Sequence, residues 1–233
     1  MAHKQRLREN RENTIINQQS SKQEKLLDKA INNVQAMLNH KFQNIRLHHQ
    51  KSIRISEIVS NLRQSFPDID FNYQFERSEM KPDGGIIYMV SKTGDKFPIL
   101  ITERKNQGTN DLRNLEGKPK QAKGNAIERL GKNVIGFRTS MIQESIFPFV
   151  CFGDGCDFAS DSSILDRVVT IAMFGHLNTE YLYNQANGAF NRGTFYFREN
   201  VWTIEEITQL SYNIAERSVY YYFSKYGEST FLL

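Results

Sequence analysis

The spacing of hydrophobic positions changes from a helical period to a strand-like period early in the chain. Apolar residues recur at three- and four-residue steps over residues 21–39 and 55–66, which predicts two amphipathic helices. After Pro67, aromatic and polar residues alternate over residues 71–75, which predicts a half-buried strand. The first third of the chain is therefore expected to form two helices and then a strand.

Two apolar runs in the middle of the chain predict a β-hairpin. They cover Gly85–Val90 and Phe97–Thr102, and the turn residues Lys92–Asp95 lie between them. Later patterns predict further elements: helices over 125–137, 163–174 and 205–225, and strands over 147–152 and 194–197. Because strands are interleaved with helices, the fold class is predicted to be α/β with a mixed sheet.

Charge is distributed unevenly along the 233 residues, whose formal net charge is +4. Residues 1–51 contain ten Lys and Arg residues but only four acidic residues. We therefore divide the chain into a basic, partly helical N-terminal arm (1–51) and a main domain (52–233). A basic arm favours a polyanionic partner, although a solvated tail has the same composition. The adjacent pair His48 and His49 could bind a metal, but adjacent histidines do not share a face, so the pair is interpreted as exposed arm residues.

Composition excludes several classes of protein. A hydrophobic content of 39% and an aromatic content of 12% are enough for a packed core, which excludes a wholly disordered chain. There is no apolar run of 18 residues and no secretory signal, so we expect a cytoplasmic protein without a membrane segment. Cys151 and Cys156 are too few for a disulfide framework, and no CxxC zinc motif occurs.

The hairpin is predicted to bring two carboxylates and one ammonium together at its open end. If its turn is centred on residues 93–94, Asp83 lies opposite Arg104. Side chains two apart in a strand share a face, so Glu103 and Lys105 point one way and Arg104 the other. Two carboxylates with additional oxygen ligands suit Mg²⁺, which lowers the pKa of a bound water. Taken alone, however, Glu103 and Lys105 have the composition of a surface ion pair.

Five short blocks give this arrangement a family context. They are K-P-D-G-G-I at Lys81–Ile86, E-R-K-N-Q-G at Glu103–Gly108, G-N-A-I-E-R at Gly124–Arg129 followed by Lys132-Asn133, E-S-I-F-P-F-V at Glu144–Val150, and I-L-D-R at Ile164–Arg167. In this order they resemble the EcoRI family of type II restriction endonucleases, with its K-P-D-G-G-I, E-A-K-H-Q-G, G-N-A-I-E-R, E-S-H-F-P-Y-V and I-L-N-R. The resemblance covers about residues 52–225.

The resemblance implies a fold, an activity and a catalytic site. The fold is a central mixed five-stranded sheet flanked by helices, and the enzyme is a homodimer on double-stranded DNA. The activity is Mg²⁺-dependent cleavage at a palindromic site, leaving 5′-phosphate ends, in a prokaryotic cytoplasm that also contains a cognate DNA methyltransferase. Asp83 and Glu103 would bind the metal together with the Arg104 carbonyl, and Lys105 would be the catalytic lysine.

The resemblance also implies a set of residues that read an AATT core. They are Gln107, Lys123, Gly124, Asn125, Ala126, Glu128, Arg129 and Arg167. The chemistry is suitable, since Asn can pair bidentately with adenine and Glu can accept from an exocyclic amine. Without the other blocks, Glu128 and Arg129 would be interpreted as a pair on a helix surface.

Two departures from the family leave the outer base pair open. Lys123 stands where the family has Ala and where a related enzyme that reads C-AATT-G has Arg. A Lys can donate to guanine, but it can equally contact a phosphate. Thr170 replaces a family arginine, and the segment 157–163 is shorter. We therefore expect an AATT core with an outer pair that is different, degenerate or absent.

Two other functions remain as alternatives. A repair or junction-resolving nuclease would need Asp83, Glu103 and Lys105 but not the block Gly124–Arg129. A non-catalytic, sequence-specific DNA-binding protein would need that block but not the three hairpin residues. The sequence contains both sets, which favours the restriction endonuclease.

Overall fold

A computed structural model describes residues 15–106, 117, 124–183 and 192–233. The strands are β1 (Arg46–Gln50), β2 (Ile53–Arg54), β3 (Glu79–Met80), β4 (Gly85–Val90), β5 (Lys96–Asn106), β6 (Phe149–Asp154) and β7 (Thr194–Arg198). The helices are α1 (Ile15–Lys41), α2 (Ile55–Ser65), α3 (Gly124–Ser140), α4 (Ile164–Ile171) and α5 (Ile204–Tyr226). None of the helices described is both long and apolar enough to span a membrane.

A five-stranded sheet in the order β1-β4-β5-β6-β7 forms the centre of the fold. The pairs β1–β4 and β4–β5 are antiparallel, whereas β5–β6 and β6–β7 are parallel. Strands β2 and β3 form a separate antiparallel pair. The prediction of an α/β fold with a mixed five-stranded sheet is confirmed.

Each face of the sheet has its own helical layer and its own hydrophobic core. On one face, α1 and α5 cover residues such as Ile87, Leu100 and Phe152. On the other face, α2, α3 and α4 cover residues such as Ile101 and Phe149. The sheet is therefore shielded from water on both sides, as the parallel half of such a sheet requires.

The predicted N-terminal arm contributes to the main core. Leu27, Ala30, Val34 and Leu38 recur at helical spacing in α1, and all four are buried against the sheet and α5. Strand β1 then forms one edge of the sheet by pairing with β4. Residues 1–14 lie outside the described residues, and the division of the chain at residue 51 stays a prediction.

The hairpin β4–β5 has the predicted register at its open end only. Gly85 lies opposite Thr102, as predicted, but a bulge between Ile87 and Tyr88 shifts the pairing by one residue. Pro98 lies at this shift and has no N–H to donate to a strand ladder, which explains why regular pairing is interrupted there. The open end of the hairpin, next to Asp83 and Glu103, therefore keeps the register on which the prediction depends.

The prediction of a strand over residues 71–75 is wrong. These residues form irregular structure between α2 and β3, and Phe75 is 74% exposed. Phe71 instead packs on Phe66 with ring centroids 6.3 Å apart, and its carbonyl accepts two bonds from the Arg63 guanidinium. A strand needs a ladder partner, and here a side chain takes the carbonyl that a ladder would use.

Candidate active site

The predicted catalytic residues meet where β5 approaches the start of β4. The backbone N–H of Gly84 donates to the Thr102 carbonyl over 2.9 Å, which fixes the turn that carries Asp83. The Arg104 N–H donates to Asp83 Oδ2 over 3.0 Å, and the Asp83 N–H donates to Glu103 Oε2 over 3.3 Å. The Asp83 carboxylate is thus held by the Arg104 backbone, and the Glu103 carboxylate by the Asp83 backbone.

Lys105 completes this group. Its ammonium donates to Glu103 Oε1 and lies 3.7 Å from Asp83 Oδ2. The side chains of Glu103 and Lys105 leave the same face of β5, as the strand period predicts. The structure therefore brings together all three side chains that the sequence predicts to be catalytic.

The group is buried at one end and open at the other. Glu103 is 1% exposed and the Lys105 side chain 14%, whereas the Asp83 side chain is 38% exposed. The alternative interpretation of Glu103 and Lys105 as a surface ion pair is therefore wrong. A substrate or a metal ion would approach from the Asp83 side.

Burial and neighbouring charges set the protonation of the site. Burial raises the pKa of Glu103, the charge of Lys105 opposes this, and the charge of Asp83 adds to it, so the pKa is raised overall. Burial lowers the pKa of Lys105, but the surrounding negative charges outweigh it, and that pKa is raised overall. Two carboxylates face one ammonium, so the site favours a further positive charge.

His49 contacts the turn at Gly84 and Gly85, which follows Asp83. The Nε2 atom of His49 lies 2.9 Å from the Gly84 carbonyl oxygen, within hydrogen-bond distance. Gly85 has φ +78°, and a Cβ built there would lie 2.5 Å from His49 Nε2. His48 and His49 were interpreted as exposed arm residues, yet both belong to β1, and only His48 is exposed. The alternation of a strand, applied to residues 46–50, could have separated them.

Asn133 is a second neighbour of the site to which the sequence assigned no role. Its Nδ2 donates to Glu103 Oε1 over 3.4 Å. It lies in α3, on the side of the helix next to the buried row that includes Leu130 and Val134. Its presence in the Lys132-Asn133 motif was the only signal, because the contact depends on how α3 packs.

The opposite face of β5 carries a separate ion pair. The Arg104 guanidinium donates to Asp154 Oδ2 over 2.6 Å, and these side chains are only 4% and 1% exposed. Trp202 adds its backbone N–H to the same Asp154 oxygen, at 3.3 Å. The prediction that the Arg104 side chain points away from the catalytic group is confirmed.

The predicted DNA-reading residues are described only in part. The block Gly124–Arg129 forms the first two turns of α3, and Glu128 and Arg129 are exposed. The side chains of Asn125 and Ala126 lie outside the described part. So do Gln107 and Lys123 altogether. Arg167 is exposed on α4, the helix that packs beside α3.

The donor set fits a divalent cation that takes oxygen ligands. Asp83 and Glu103 offer carboxylate oxygens within one hydrogen-bonded group, and Asp83 opens to solvent. Nowhere in the described ranges do three or more His, Cys, Asp or Glu side chains gather at one metal site. Such a shell would therefore need a backbone carbonyl, water or phosphate oxygens, which is usual for Mg²⁺.

Comparison with known proteins identifies the family. The family model for restriction endonuclease EcoRI matches residues 10–164, which is more than half of the chain. The chain belongs to the restriction endonuclease EcoRI family. The matched range includes Asp83, Glu103 and Lys105 and the block Gly124–Arg129, but it ends before Arg167.

Two curated relatives support the same assignment. The type II restriction enzyme RsrI of Cereibacter sphaeroides is 29% identical over 213 residues, covering 76% of this chain and 76% of the relative. The type II restriction enzyme EcoRI of Escherichia coli is 33% identical over 142 residues, covering 58% of this chain and 51% of the relative. The EcoRI-family chain is accordingly a site-specific deoxyribonuclease, a hydrolase that acts on DNA.

Proposed function

We propose that this EcoRI-family enzyme cleaves double-stranded DNA at a palindromic site with an AATT core, using Mg²⁺ and leaving 5′-phosphate ends. The single observation that carries the proposal is the group formed by Asp83, Glu103 and Lys105. Two carboxylates and one ammonium, joined by hydrogen bonds and open to solvent on one side, suit phosphodiester hydrolysis.

Each residue of the group has its own part in the reaction. Asp83, Glu103 and the Arg104 carbonyl would hold Mg²⁺, which when bound lowers the pKa of a coordinated water and neutralises a phosphate oxygen. The Lys105 ammonium orients the attacking water and offsets negative charge that develops on the phosphate. The water oxygen attacks phosphorus as the water loses a proton, the bond from phosphorus to the 3′ oxygen breaks, and the leaving 3′ oxygen takes up a proton. The products are a 3′-hydroxyl and a 5′-phosphate.

The start of α3 is proposed to read the AATT core. Asn125, Glu128 and Arg129 supply the donors and acceptors that match adenine and its neighbours in the major groove. Gly124 and Ala126 leave room for the backbone to approach the bases. The proposed set of base-reading residues also includes Gln107, Lys123 and Arg167. Of these, Lys123 is the candidate for contact with the outer base pair.

We also propose the setting in which the enzyme acts. A palindrome is read by two symmetric halves, so the active form is a homodimer. The basic segment 1–51 contacts phosphates, which makes binding weaken steeply as salt rises. The enzyme works in a prokaryotic cytoplasm beside a DNA methyltransferase that protects the same site. It forms no stable complex with that methyltransferase.

The first experiment is digestion of unmethylated phage DNA with the purified chain and Mg²⁺, followed by sequencing of the fragment ends. We expect discrete fragments whose ends share AATT, and the flanking base would be read directly. Discrete ends without AATT would contradict the assignment of the α3 residues. Cleavage confined to branched or damaged DNA would favour a repair nuclease, and no cleavage at any salt or metal concentration would favour a non-catalytic DNA-binding protein.

The second experiment separates catalysis from recognition with Glu103→Gln. This change removes one metal carboxylate but keeps the side-chain volume, so cleavage should be lost while binding to the site is retained. Glu76→Gln is the matched control, because Glu76 is exposed in the loop before β3 and no described contact joins it to Asp83, Glu103 or Lys105. Loss of site-specific binding in the Glu103 variant would contradict its assigned role.

A further inference from the structure

Asn133 connects the helix proposed to read DNA with the most buried catalytic carboxylate. Its amide donates to Glu103 Oε1, the oxygen that also accepts from Lys105. The other oxygen, Oε2, accepts from the Asp83 backbone. Of the hydrogen-bond partners described for Glu103, Asn133 is the one that comes from a helix. The orientation of this carboxylate therefore depends in part on where α3 lies.

Positions 125, 129 and 133 follow one row along α3. They are four residues apart, and residues at this spacing lie above one another on one side of a helix. At about 1.5 Å per residue, the row runs about 12 Å from position 125 to Asn133. One end of the row belongs to the proposed base-reading block, and the other end contacts Glu103.

The adjacent side of α3 makes the helix a rigid connection between these ends. Ile127, Leu130, Val134 and Phe137 are all buried in the core beneath the helix. A displacement at the base-reading end would therefore move the whole helix rather than its first turn alone.

The contact between Asn133 and Glu103 is suited to detect such a displacement. At 3.4 Å it lies at the long end of hydrogen-bond distances, where a small outward movement of α3 abolishes it. A small inward movement would shorten and strengthen it. Docking of α3 on the correct base pairs can therefore change how firmly the Glu103 carboxylate is held.

We propose that Asn133 is a positioning residue that couples docking of α3 on the correct base pairs to placement of the Glu103 carboxylate. This inference rests on the proposed function, because it needs both base reading by α3 and catalysis at Glu103. On this inference, a wrong base pair slows cleavage by misplacing the Glu103 carboxylate, in addition to weakening DNA binding.

The test compares Asn133→Ala with the unchanged enzyme on two DNA duplexes. One duplex contains the site found by end sequencing, and the other differs from it by one base pair within the core. Single-turnover cleavage is measured on both, and binding is measured without Mg²⁺. Thr139→Ala is the control on the same helix, because the Thr139 hydroxyl donates only to the Ile135 carbonyl in the described structure.

We expect Asn133→Ala to slow cleavage of the correct site by about 10- to 100-fold, the usual effect of losing a partner of a metal-binding carboxylate. Cleavage of the altered site should fall much less, because the contact is already lost there. Binding of the correct site should change by less than about threefold. Since Ala favours helix more than Asn does, the thermal midpoint should not fall.

Three results would overturn the inference. The first is a cleavage rate at the correct site that stays within about twofold of the unchanged enzyme. The second is an equal fall on both duplexes, which would make Asn133 a support for Glu103 without any link to base reading. The third is a loss of binding as large as the loss of cleavage. An unchanged enzyme that cleaves neither duplex would instead mark a failure of the proposed function.

Discussion

The two faces of β5 carry the same chemical pairing in different settings. On one face, Lys105 lies against Glu103 and Asp83, and on the other, Arg104 lies against Asp154. The Arg104 pair is closed, with side chains 4% and 1% exposed, and Trp202 donates to the same carboxylate. The Lys105 group is open through Asp83, whose side chain is 38% exposed.

The difference lies in charge balance and access. On the closed face the Arg104 guanidinium pairs with the Asp154 carboxylate at 2.6 Å. Because both side chains are buried, this pair is not accessible to a ligand. On the open face two carboxylates share one ammonium, which leaves an excess of negative charge facing solvent. Adjacent residues of one strand therefore lie in different settings: Arg104 pairs within the closed face, while Glu103 and Lys105 belong to the open face, where we propose that a cation and a phosphate bind.

Removing the exposed carboxylate should produce the largest effect on activity. Asp83→Asn deletes a charge from the open face, and we expect cleavage to fall by about 10³-fold or more, because several kcal/mol of metal-dependent stabilisation are lost. Since the Asp83 side chain is 38% exposed and Asn can still accept from the Arg104 N–H, thermal unfolding should barely change. Single-turnover cleavage at fixed Mg²⁺ measures the first quantity and calorimetry the second. A stable variant with near-normal cleavage would contradict the metal assignment.

Breaking the closed pair should instead cost stability. Asp154→Ala leaves the Arg104 guanidinium buried without its carboxylate, which costs about 3–5 kcal/mol of unfolding free energy. The double change Arg104→Met with Asp154→Leu should recover most of that loss, because an apolar pair of similar volume avoids the buried charge. Urea unfolding measures both. If the single change left stability intact, the two faces would not differ in the way described.

The pH dependence of metal binding should distinguish the open face further. Lys105 lowers the pKa of Glu103 against the effect of burial, so Lys105→Met should raise that pKa further. A higher pKa leaves less of the carboxylate ionised at a given pH, and Mg²⁺ binding should require a higher pH. Calorimetric titration of Mg²⁺ across a pH series measures the midpoint. A midpoint that moves to lower pH would show that Lys105 hinders Glu103 ionisation instead.

Loss of His49 should have the smallest effect. His49→Ala removes one hydrogen bond to the Gly84 carbonyl, worth about 0.5–1.5 kcal/mol, and should slow cleavage by about two- to tenfold. His48→Ala is the matched control, since His48 stacks on Tyr88 on the other face of β1. Equal effects of the two changes in the cleavage assay would show that His49 does not support the turn that carries Asp83.

Local pattern predicted the parts of the site that depend on strand period and register. Glu103 and Lys105 share a face because they are two apart, and Asp83 meets them because the hairpin keeps its predicted register at that end. The bulge was signalled by Pro98 but was not predicted. These features needed nothing from the rest of the chain.

The parts that escaped prediction depend on tertiary packing. His49 reaches Gly84 because β1 pairs with β4, and Asn133 reaches Glu103 because α3 lies over the sheet. Neither contact can be predicted from the periodicity of hydrophobic residues in the sequence. The strand predicted over residues 71–75 failed for the converse reason: alternation was present, but Arg63 took the Phe71 carbonyl that a partner strand would need.

The β-bulge next to Pro98 has a consequence for how such enzymes can vary. It separates the hairpin tip, Ser91–Asp95, from the end of β5 that holds Glu103. A one-residue slip that reached Glu103 would exchange the two faces of the strand and place Arg104 among the carboxylates. With the offset absorbed before that point, a change at the exposed turn residues Thr93 and Gly94 would leave the register at Glu103 unaltered, and that turn is where a graft or a label should be introduced.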